Sequence, residues 1–468
     1  MTTTIYKIKA PATLRATIKL PASKSISNRA ILMTALARRN DDWNEAVRRL
    51  ENLSDCDDTA VLLRALASLE ERGARSEELV IDIGAAGTAM RFLTAFLAVS
   101  EGEFVLTGSE RMKRRPIGPL VEALRHLGAD IRYEGEEGFP PLRIVGQSLD
   151  GGQVEISGEL SSQFVSALLM IAPTLRNGLE IRMIGDIVSR PYIDLTLWMM
   201  REFGADADWT SGDTIRVKPS GYQQRSYRIE NDWSAASYWY EMVALTDDED
   251  AEIRLFGLND YSKQGDAAVR YIFSMLGVKT EFCSRSVECE VRSEECGVWS
   301  EECGVRSEEC GVRSEECGVR SEVVLRKSNR VAPRFDYDFT NSPDLVQTIV
   351  CTCTAKGIPF HFRGLKSLKI KETNRLEALI SELKKVGIAI RLENDSELVW
   401  DGKRIEPTFE PIDTYDDHRM ALSFAPLALK YPSISIKNPL VVTKSYPTFW
   451  QDLKNIGFQA PSQPPPER

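Results

Sequence analysis

The chain has 468 residues, 43% hydrophobic and 27% charged, a composition that allows two or three domains with their own cores and excludes a wholly disordered polymer. Its formal charge of -10 excludes a general nucleic-acid or acidic-membrane binder, because such proteins need a positive field to displace counterions. Any anion site must therefore be a local cluster of Lys and Arg.

Met1 to Lys7 carries no signal-peptide core and no apolar run reaches the roughly 20 residues that span a bilayer, so a cytoplasmic protein without membrane association is expected. Lys24-Ser25-Ile26-Ser27-Asn28-Arg29 precedes the helical stretch Ala30 to Leu36. A Ser-rich turn at a helix start offers backbone N–H groups and hydroxyls beside two cations, which suits a phosphate monoester, and it also reads as a cap with two solvated bases. Gly84-Ala85-Ala86-Gly87-Thr88-Ala89-Met90-Arg91 follows, where small residues either let backbone approach a ligand or merely pack closely, before a helix from about Thr88. Arg111-Met112-Lys113-Arg114-Arg115-Pro116 sets four bases ahead of a helix with Pro at its first turn, as an anion site or a solvated face. Ser161-Ser162-Gln163 and Ser189-Arg190-Pro191-Tyr192 place hydroxyls and an amide at helix starts, where they read first as caps. In the second half Asp344, the run Lys371 to Arg375 and the run Asp416 to Met420 each open a helix, and a carboxylate there is first of all a cap favoured by the helix dipole.

An internal repeat runs beneath these segments: amphipathic helix, Gly, strand, polar turn, strand. Its glycines, at 128, 204, 277, 387 and 457, suit helix C-caps and are spaced 76, 73, 110 and 70 residues apart. The long interval contains Cys289, Cys296, Cys303, Cys310 and Cys317 in heptads worded Glu-Cys-Gly-Val-Arg-Ser, and without five heptads it falls to 75. Residues 286–321 are therefore expected to be an insertion at the tip of a β-hairpin, a passive surface loop. Zinc pairs sit two to four residues apart, and a Gly in nearly every heptad costs a helix about 1 kcal/mol, so neither a metal site nor a coiled coil fits. The remaining cysteines, Cys56, Cys283, Cys351 and Cys353, form no framework, and reduced thiols are expected. Residues 461–468 form a Pro-rich tail. A repeat of about 75 residues fits a small α/β module, and modules in both halves suggest two similar domains with a ligand site between them.

Together, Leu20 to Ala30, Ala86 to Arg91, Arg111 to Gly118, Ser161-Ser162-Gln163, Ser189 to Asp194, Lys371 to Leu376 and Tyr415 to Ala421 resemble the EPSP synthase family in order and approximate spacing. The resemblance covers almost the whole chain outside the heptads and the tail. It implies the α/β two-domain enolpyruvyl transferase fold, each domain an inside-out α/β barrel of three βαβαββ units. A double crossover would join residues 1–21 with 232–460 as one domain and 22–231 as the other. It further implies a monomer, with no metal or organic cofactor, that moves the enolpyruvyl group of phosphoenolpyruvate to the 5-hydroxyl of shikimate 3-phosphate by addition and elimination.

On the matching positions, the resemblance implies that Lys24, Ser25, Arg29, Ser161, Ser162, Gln163, Ser189, Tyr192, Asp344 and Lys371 contact shikimate 3-phosphate. Lys24, Gly87, Arg115, Gln163, Arg375, Arg419 and Lys444 would take phosphoenolpyruvate, whose phosphate and carboxylate suit the fixed fork of arginine. Asp344 matches the residue at the attacking hydroxyl, and Glu372 with Lys24 the proton donor and acceptor at C3, while Asp417 and His418 would support Arg419. The family commonly has Asn at Ala85, Pro at Phe92 and Asn at Ser367, so this chain departs from it at three places beside the site. A related transferase acting on a UDP-amino sugar usually has a reactive Cys in a mobile loop and Asn beside its first Lys, whereas Ser25 follows Lys24 and no Cys lies near Arg111 to Arg115. An inactive anion-binding relative would have lost the acid and base that Lys24, Asp344 and Glu372 retain.

Overall fold

The computed structural model describes residues 4–37, 42–72, 78–285 and 320–460. Among the described residues, four four-stranded sheets share one strand order. In the first, Leu79–Asp82 runs parallel to Gly102–Thr107, which pairs antiparallel with Leu142–Gly146, itself antiparallel to Asp130–Tyr133. The same order recurs in Gly152–Ser157, Leu179–Ile184, Thr214–Val217 and Ala207–Trp209, and in Phe335–Asp338, Phe360–Arg363, Glu397–Trp400 and Arg391–Glu393. Two parallel neighbours cannot be joined by a tight turn, so a helix makes each crossover: Gly87–Ala98, Ser162–Ile171 and Val346–Lys356. A second helix then leads to the returning hairpin, which gives a βαβαββ unit.

The fourth such sheet explains the connection between the two halves. Arg15–Lys19 pairs parallel with Glu252–Phe256, so the crossover between them contains more than 200 residues, including every strand of two other four-stranded sheets and of one two-stranded sheet. A fifth unit borrows its last strand pairing from the N-terminus: Ile412 bridges Ile436 in parallel, Ser435–Lys437 pairs antiparallel with Ile5–Lys7, and Lys9 bridges Gln459. A sixth retains only Leu50–Glu51 beside Tyr227–Arg228. Gly128, Gly204, Gly277, Gly387 and Gly457 all take positive φ, between 84° and 97°, where each helix turns into its hairpin.

Two apolar cores result. One gathers side chains from Tyr6 to Leu20 and from Trp233 to Phe458, and the other from Ala22 to Ile229. Helices enclosed by sheets and other helices are apolar all round rather than striped, as in Trp233–Leu245, where twelve of thirteen residues are buried. The first helix begins at Lys24 and not near Ala30, because even Ser27, Asn28 and Arg29 are buried and the apolar stripe is hidden by polar residues with internal partners. The helix expected from Pro116 starts at Gly118, with Pro119 in its first turn.

The chain passes between the cores at Pro21 and at Asn231. Ser23 N–H donates to the Glu230 carbonyl (2.8 Å) and Asp232 N–H to the Pro21 carbonyl (2.9 Å), so the two passages are zipped together. Asn231 Nδ2 donates to the Phe256 carbonyl (2.8 Å), and its Oδ1 accepts from Asn52 Nδ2 (2.7 Å), which also donates to the Ile229 carbonyl (2.8 Å). Gly257 is required here, because a Cβ would stand 2.3 Å from Asn231 Nδ2.

The hairpin Leu276–Arg285 with Arg320–Val331 pairs as far as Arg285 opposite Arg320, so Arg320 and Ser321, assigned above to the insertion, belong to the sheet. The expected surface loop with its five evenly spaced cysteines, and the tail, lie outside the described residues. Cys56, Cys283, Cys351 and Cys353 are free, and among the described residues no helix is long and apolar enough to cross a membrane. Asn231→Ala would strand the Asn52 amide and the Phe256 carbonyl. It is expected to lower the stability of the protein by about 1–3 kcal/mol in urea denaturation, and an unchanged midpoint would show that the amide does not clamp the crossover.

Candidate active site

A cleft of about 1430 Å³, counting space continuous with solvent, lies between the two cores. The part of the chain around the core from Ala22 to Ile229 contributes helix starts. Lys24, Ser25 and Arg29 project from the first turns of Lys24–Ala37. Arg29, 3% exposed, donates from Nε to Thr196 Oγ1 (2.7 Å), from Nη1 to the Ser25 carbonyl (2.9 Å) and from Nη2 to Ser166 Oγ (3.1 Å). Its guanidinium carbon lies 5.4 Å from the Phe92 ring centroid. Phe92 is therefore not at the cleft surface but buried beneath Arg29. Burial pushes the Arg29 pKa down to about 10. Lys24 Nζ meets Asp58 at 3.1 Å; burial works against its ammonium, but Asp58, Cys56 and Glu372 together outweigh it and the pKa is raised.

Gly87 opens the helix Gly87–Ala98, and a Cβ there would stand 2.5 Å from Arg115 Nη1 and 2.9 Å from Arg91 Nη1. The absent side chain thus makes room for Arg115 as well as for any ligand. Arg91 donates to the Gly87 carbonyl (3.0 Å) and the Pro116 carbonyl (3.2 Å), and burial followed by the nearby Arg115 holds its pKa well below the usual value. Ser161 caps Ser162–Ile171 by accepting from Gln163 N–H (3.3 Å), while Gln163 Nε2 reaches Thr88 Oγ1 (3.3 Å). Ser189 also precedes a helix, but its side chain makes no capping bond. It sits at φ 57°, its N–H donating to the Thr340 carbonyl of the other half (2.8 Å), which leaves the hydroxyl at the cleft wall beside Tyr192.

The opposite wall is organised by Arg375, 1% exposed. Its Nε donates to Asp417 Oδ2 (2.8 Å), its Nη1 to Asp344 Oδ1 (3.0 Å) and its Nη2 to Glu372 Oε2 (3.0 Å). Asp344 also receives Arg419 Nη2 at 3.0 Å and Lys371 Nζ at 3.8 Å, while Glu372 receives Lys444 Nζ at 3.0 Å and, from across the cleft, Arg115 Nη1 at 3.8 Å. Burial alone would raise both carboxyls. Arg419, Lys371 and Arg375 overcome it at Asp344, and Lys444, Arg375 and Arg115 at Glu372, so both pKa values fall below the ordinary carboxylate range. Burial lowers the Lys371 pKa. Asp417 has two duties: it caps His418–Phe424 by accepting from Arg419 N–H (3.0 Å) and it receives Arg375. His418 is buried with neither ring nitrogen hydrogen-bonded, and burial, with Lys24 and Arg419 nearby, keeps it neutral.

Lys24, Ser25, Arg29, Gly87, Arg115, Ser161, Ser162, Gln163, Ser189, Tyr192, Asp344, Lys371, Glu372, Arg375 and Arg419 all line this one cleft, with Ser367 beside them. Lys444 stands behind Glu372, and its neighbour Ser445 reaches the wall. Asp58, Asp232, Ser234 and Tyr238 also line it and were not singled out from the sequence, and so does Arg91, which ended the glycine-rich segment without a role of its own. Asp58 and Asp232 look like ordinary helix caps there, and Asp232 does accept from Ser234 N–H (2.7 Å). Among the lining residues seven cations face four carboxylates, a surplus of positive charge in a chain of net charge -10. The cleft can therefore take up more than one polyanion, and it holds two carboxylates, Asp344 and Glu372, kept ionised by the cations around them.

Gly87→Ala would drive Arg115 from its place. The affinity of the cleft for inorganic phosphate, measured by calorimetric titration, is expected to fall about tenfold, the scale of one charge-assisted hydrogen bond. Unchanged affinity would mean that Arg115 does not need that position.

The model of the family described as EPSP synthase (3-phosphoshikimate 1-carboxyvinyltransferase) matches residues 8–453. The 3-phosphoshikimate 1-carboxyvinyltransferase of Bacteroides fragilis (strain YCH46) is 48% identical over 454 residues, covering 97% of this chain and 98% of that one. That of Sulfurovum sp. (strain NBC37-1) is 35% identical over 460 residues, covering 94% and 96%. Among solved structures, EPSP synthase from Acinetobacter baumannii superposes with a TM-score of 0.69 at 19% identity, covering 98% of this chain and 100% of that one. The enolpyruvyl transferase NikO from Streptomyces tendae gives 0.63 at 13% identity, covering 98% and 99%, and both establish the two-domain enolpyruvyl transferase fold. On the family match and the identity over nearly its full length, the chain belongs to the EPSP synthase family.

Proposed function

We propose that this cleft transfers the enolpyruvyl group of phosphoenolpyruvate to the 5-hydroxyl of shikimate 3-phosphate and releases phosphate. The observation that carries the reading is the cation surplus gathered around two ionised carboxylates, Asp344 and Glu372, in a chain of this family. Residues 1–21 with 232–460 act as one domain and 22–231 as the other, closing on the substrates as a monomer in the cytoplasm. Ser161, Ser162, Gln163 and Ser189 hold shikimate 3-phosphate with Ser25, Arg29, Tyr192 and Lys371. Lys24, Arg115, Arg375, Arg419 and Lys444 take the two anionic ends of phosphoenolpyruvate, and Gln163 lies between the two substrates.

Without substrate, Asp344 is too well stabilised by its three cations to be a strong base. An arriving phosphate and carboxylate compete for Arg375, Arg419 and Lys444, which loosens their hold on Asp344 and Glu372 and raises the proton affinity of both. Asp344 then takes the proton of the 5-hydroxyl as its oxygen bonds to C2. Lys24, which enters as an ammonium, gives a proton to C3. In the second step Glu372 removes a proton from C3, the C2–O bond to phosphate breaks, and Asp344 passes its proton to the leaving phosphate. Glu372 finally returns a proton to Lys24, so the site ends as it began.

Phosphate release from phosphoenolpyruvate is expected only when shikimate 3-phosphate is present, and Glu372→Gln is expected to lower kcat by about 10²–10⁴. Release driven by a UDP-amino sugar instead, or none from folded protein, would overturn the reading.

A further inference from the structure

Asp266 takes no part in the mechanism above, yet it stands directly behind the cleft wall. It lies in the turn Gly265–Ala268, 1% exposed, with no hydrogen-bond partner at Oδ1 and with Ser234 Oγ bonded to Oδ2. Ser234 itself lines the cleft. The turn is pinned: a Cβ on Gly265 would stand 2.9 Å from Pro191 Cβ and 3.3 Å from the Asn341 carbonyl oxygen. Pro191 follows the cleft residue Ser189, and Asn341 leads to Asp344, so Asp266 is held where the two halves meet. Four elements bring titratable or charged groups near it: Asp344 in the turn Pro343–Leu345, Arg419 in His418–Phe424, Asp232 at the start of Trp233–Leu245, and Tyr192 in Arg190–Glu202.

We propose that Asp266 is a positioning residue of the transfer: its protonated form frees the Ser234 hydroxyl hydrogen for the cleft and leaves Arg419 to the anionic substrates, and its ionised form withdraws both. The inference rests on the function proposed above.

Hydrogen-bond valence supports the first half. A carboxylate only accepts, so ionised Asp266 claims the single hydrogen of Ser234. A protonated Asp266 donates to Ser234 Oγ instead, and the hydroxyl hydrogen turns towards the substrate. Charge supports the second half. Ionised Asp266 adds a second carboxylate to Asp344 near Arg419, in surroundings dry enough for the charge to be felt. The change falls at a physiological pH, because burial and then Asp344 push the Asp266 carboxyl up to about 7 against the pull of Arg419 and Ser234. The site is thus more receptive to phosphorylated carboxylates below about pH 7 and less so above it.

The test measures KM for both substrates and kcat between pH 6 and 8.5 in the whole protein and in Asp266→Asn. The substrates' own phosphates titrate in this range, so the two proteins are compared at each pH. At pH 6 their KM values are expected to agree within about twofold, and at pH 8.5 the unmodified protein's KM should exceed the variant's by about three- to tenfold, with kcat nearly equal. A KM ratio that does not change with pH overturns the proposal. If Asp266→Asn fails to fold, Ser234→Ala takes its place. Its KM should rise about threefold at pH 6 and not at pH 8.5, where the hydroxyl is already committed to Asp266, and equal effects at both pH values overturn the proposal. No transfer by the unmodified protein overturns the functional reading along with this inference, whereas transfer with a pH-independent ratio overturns this inference alone.

Discussion

One guanidinium, that of Arg375, sits between three carboxylates in a place that water does not reach, and the rest of the site is arranged around that fact. Without it Asp417 would be a buried anion with no Lys or Arg beside it, a situation proteins avoid by protonating or by not folding, and Asp344 and Glu372 would each lose one of their three cations. Asp417 ties the guanidinium to the start of the helix that carries Arg419, and Asp344 receives both arginines. The catalytic wall is therefore one charge-balanced unit. Arg115 reaches this unit from the other core, so an anion that enters the cleft meets cations from both sides.

The fold makes such a meeting unavoidable. In the repeated unit the strands lie outside and the helices inside, and helix N-termini emerge at the surface that faces the opposite core. Helices starting at Lys24, Gly87, Gly118, Ser162, Arg190, Trp233, Arg375 and His418 all place residues of their first turns, or the residue just before, in the cleft wall. Each such terminus presents unpaired N–H groups and the positive end of a dipole, so the architecture favours anions before any side chain is counted. Side chains then add the cation surplus. The paired crossovers at Pro21 and Asn231 join the two cores, and the Ser189 N–H also meets the Thr340 carbonyl of the other half.

Much of this was legible in the sequence, and the parts that were not share a cause. The hairpin half of each unit could be read from its helix, its Gly and its two strands, because those residues are neighbours in the chain. The partners that complete the sheets come from far away: Arg15–Lys19 joins Glu252–Phe256, and Ile5–Lys7 joins Ser435–Lys437, pairings that no local pattern announces. At the site, the Ser and Asp segments alone looked like helix caps, and Ser161 and Asp417 are indeed caps. Ser189, read first in the same way, does not cap at all. Only the set of segments taken together pointed to one cleft, since a residue that caps a helix at an inward-facing N-terminus is also a residue at the wall. Asp58 escaped notice, and Arg91 was given no role of its own, because their places depend on Lys24 and Arg115, partners that the fold supplies and the sequence does not place.

The central claim is that Asp344 and Glu372 are kept ionised by cations shared with the substrates, and that substrate binding is what makes them basic. Carboxyl-carbon NMR titration of the labelled protein, without ligand and with phosphoenolpyruvate bound, measures this directly. The account expects both groups to titrate well below the ordinary carboxylate value of about 4 in the free protein and to move upward when phosphoenolpyruvate binds. Titration of either group at or above about pH 4 in the free protein, or no upward movement with ligand, would contradict it.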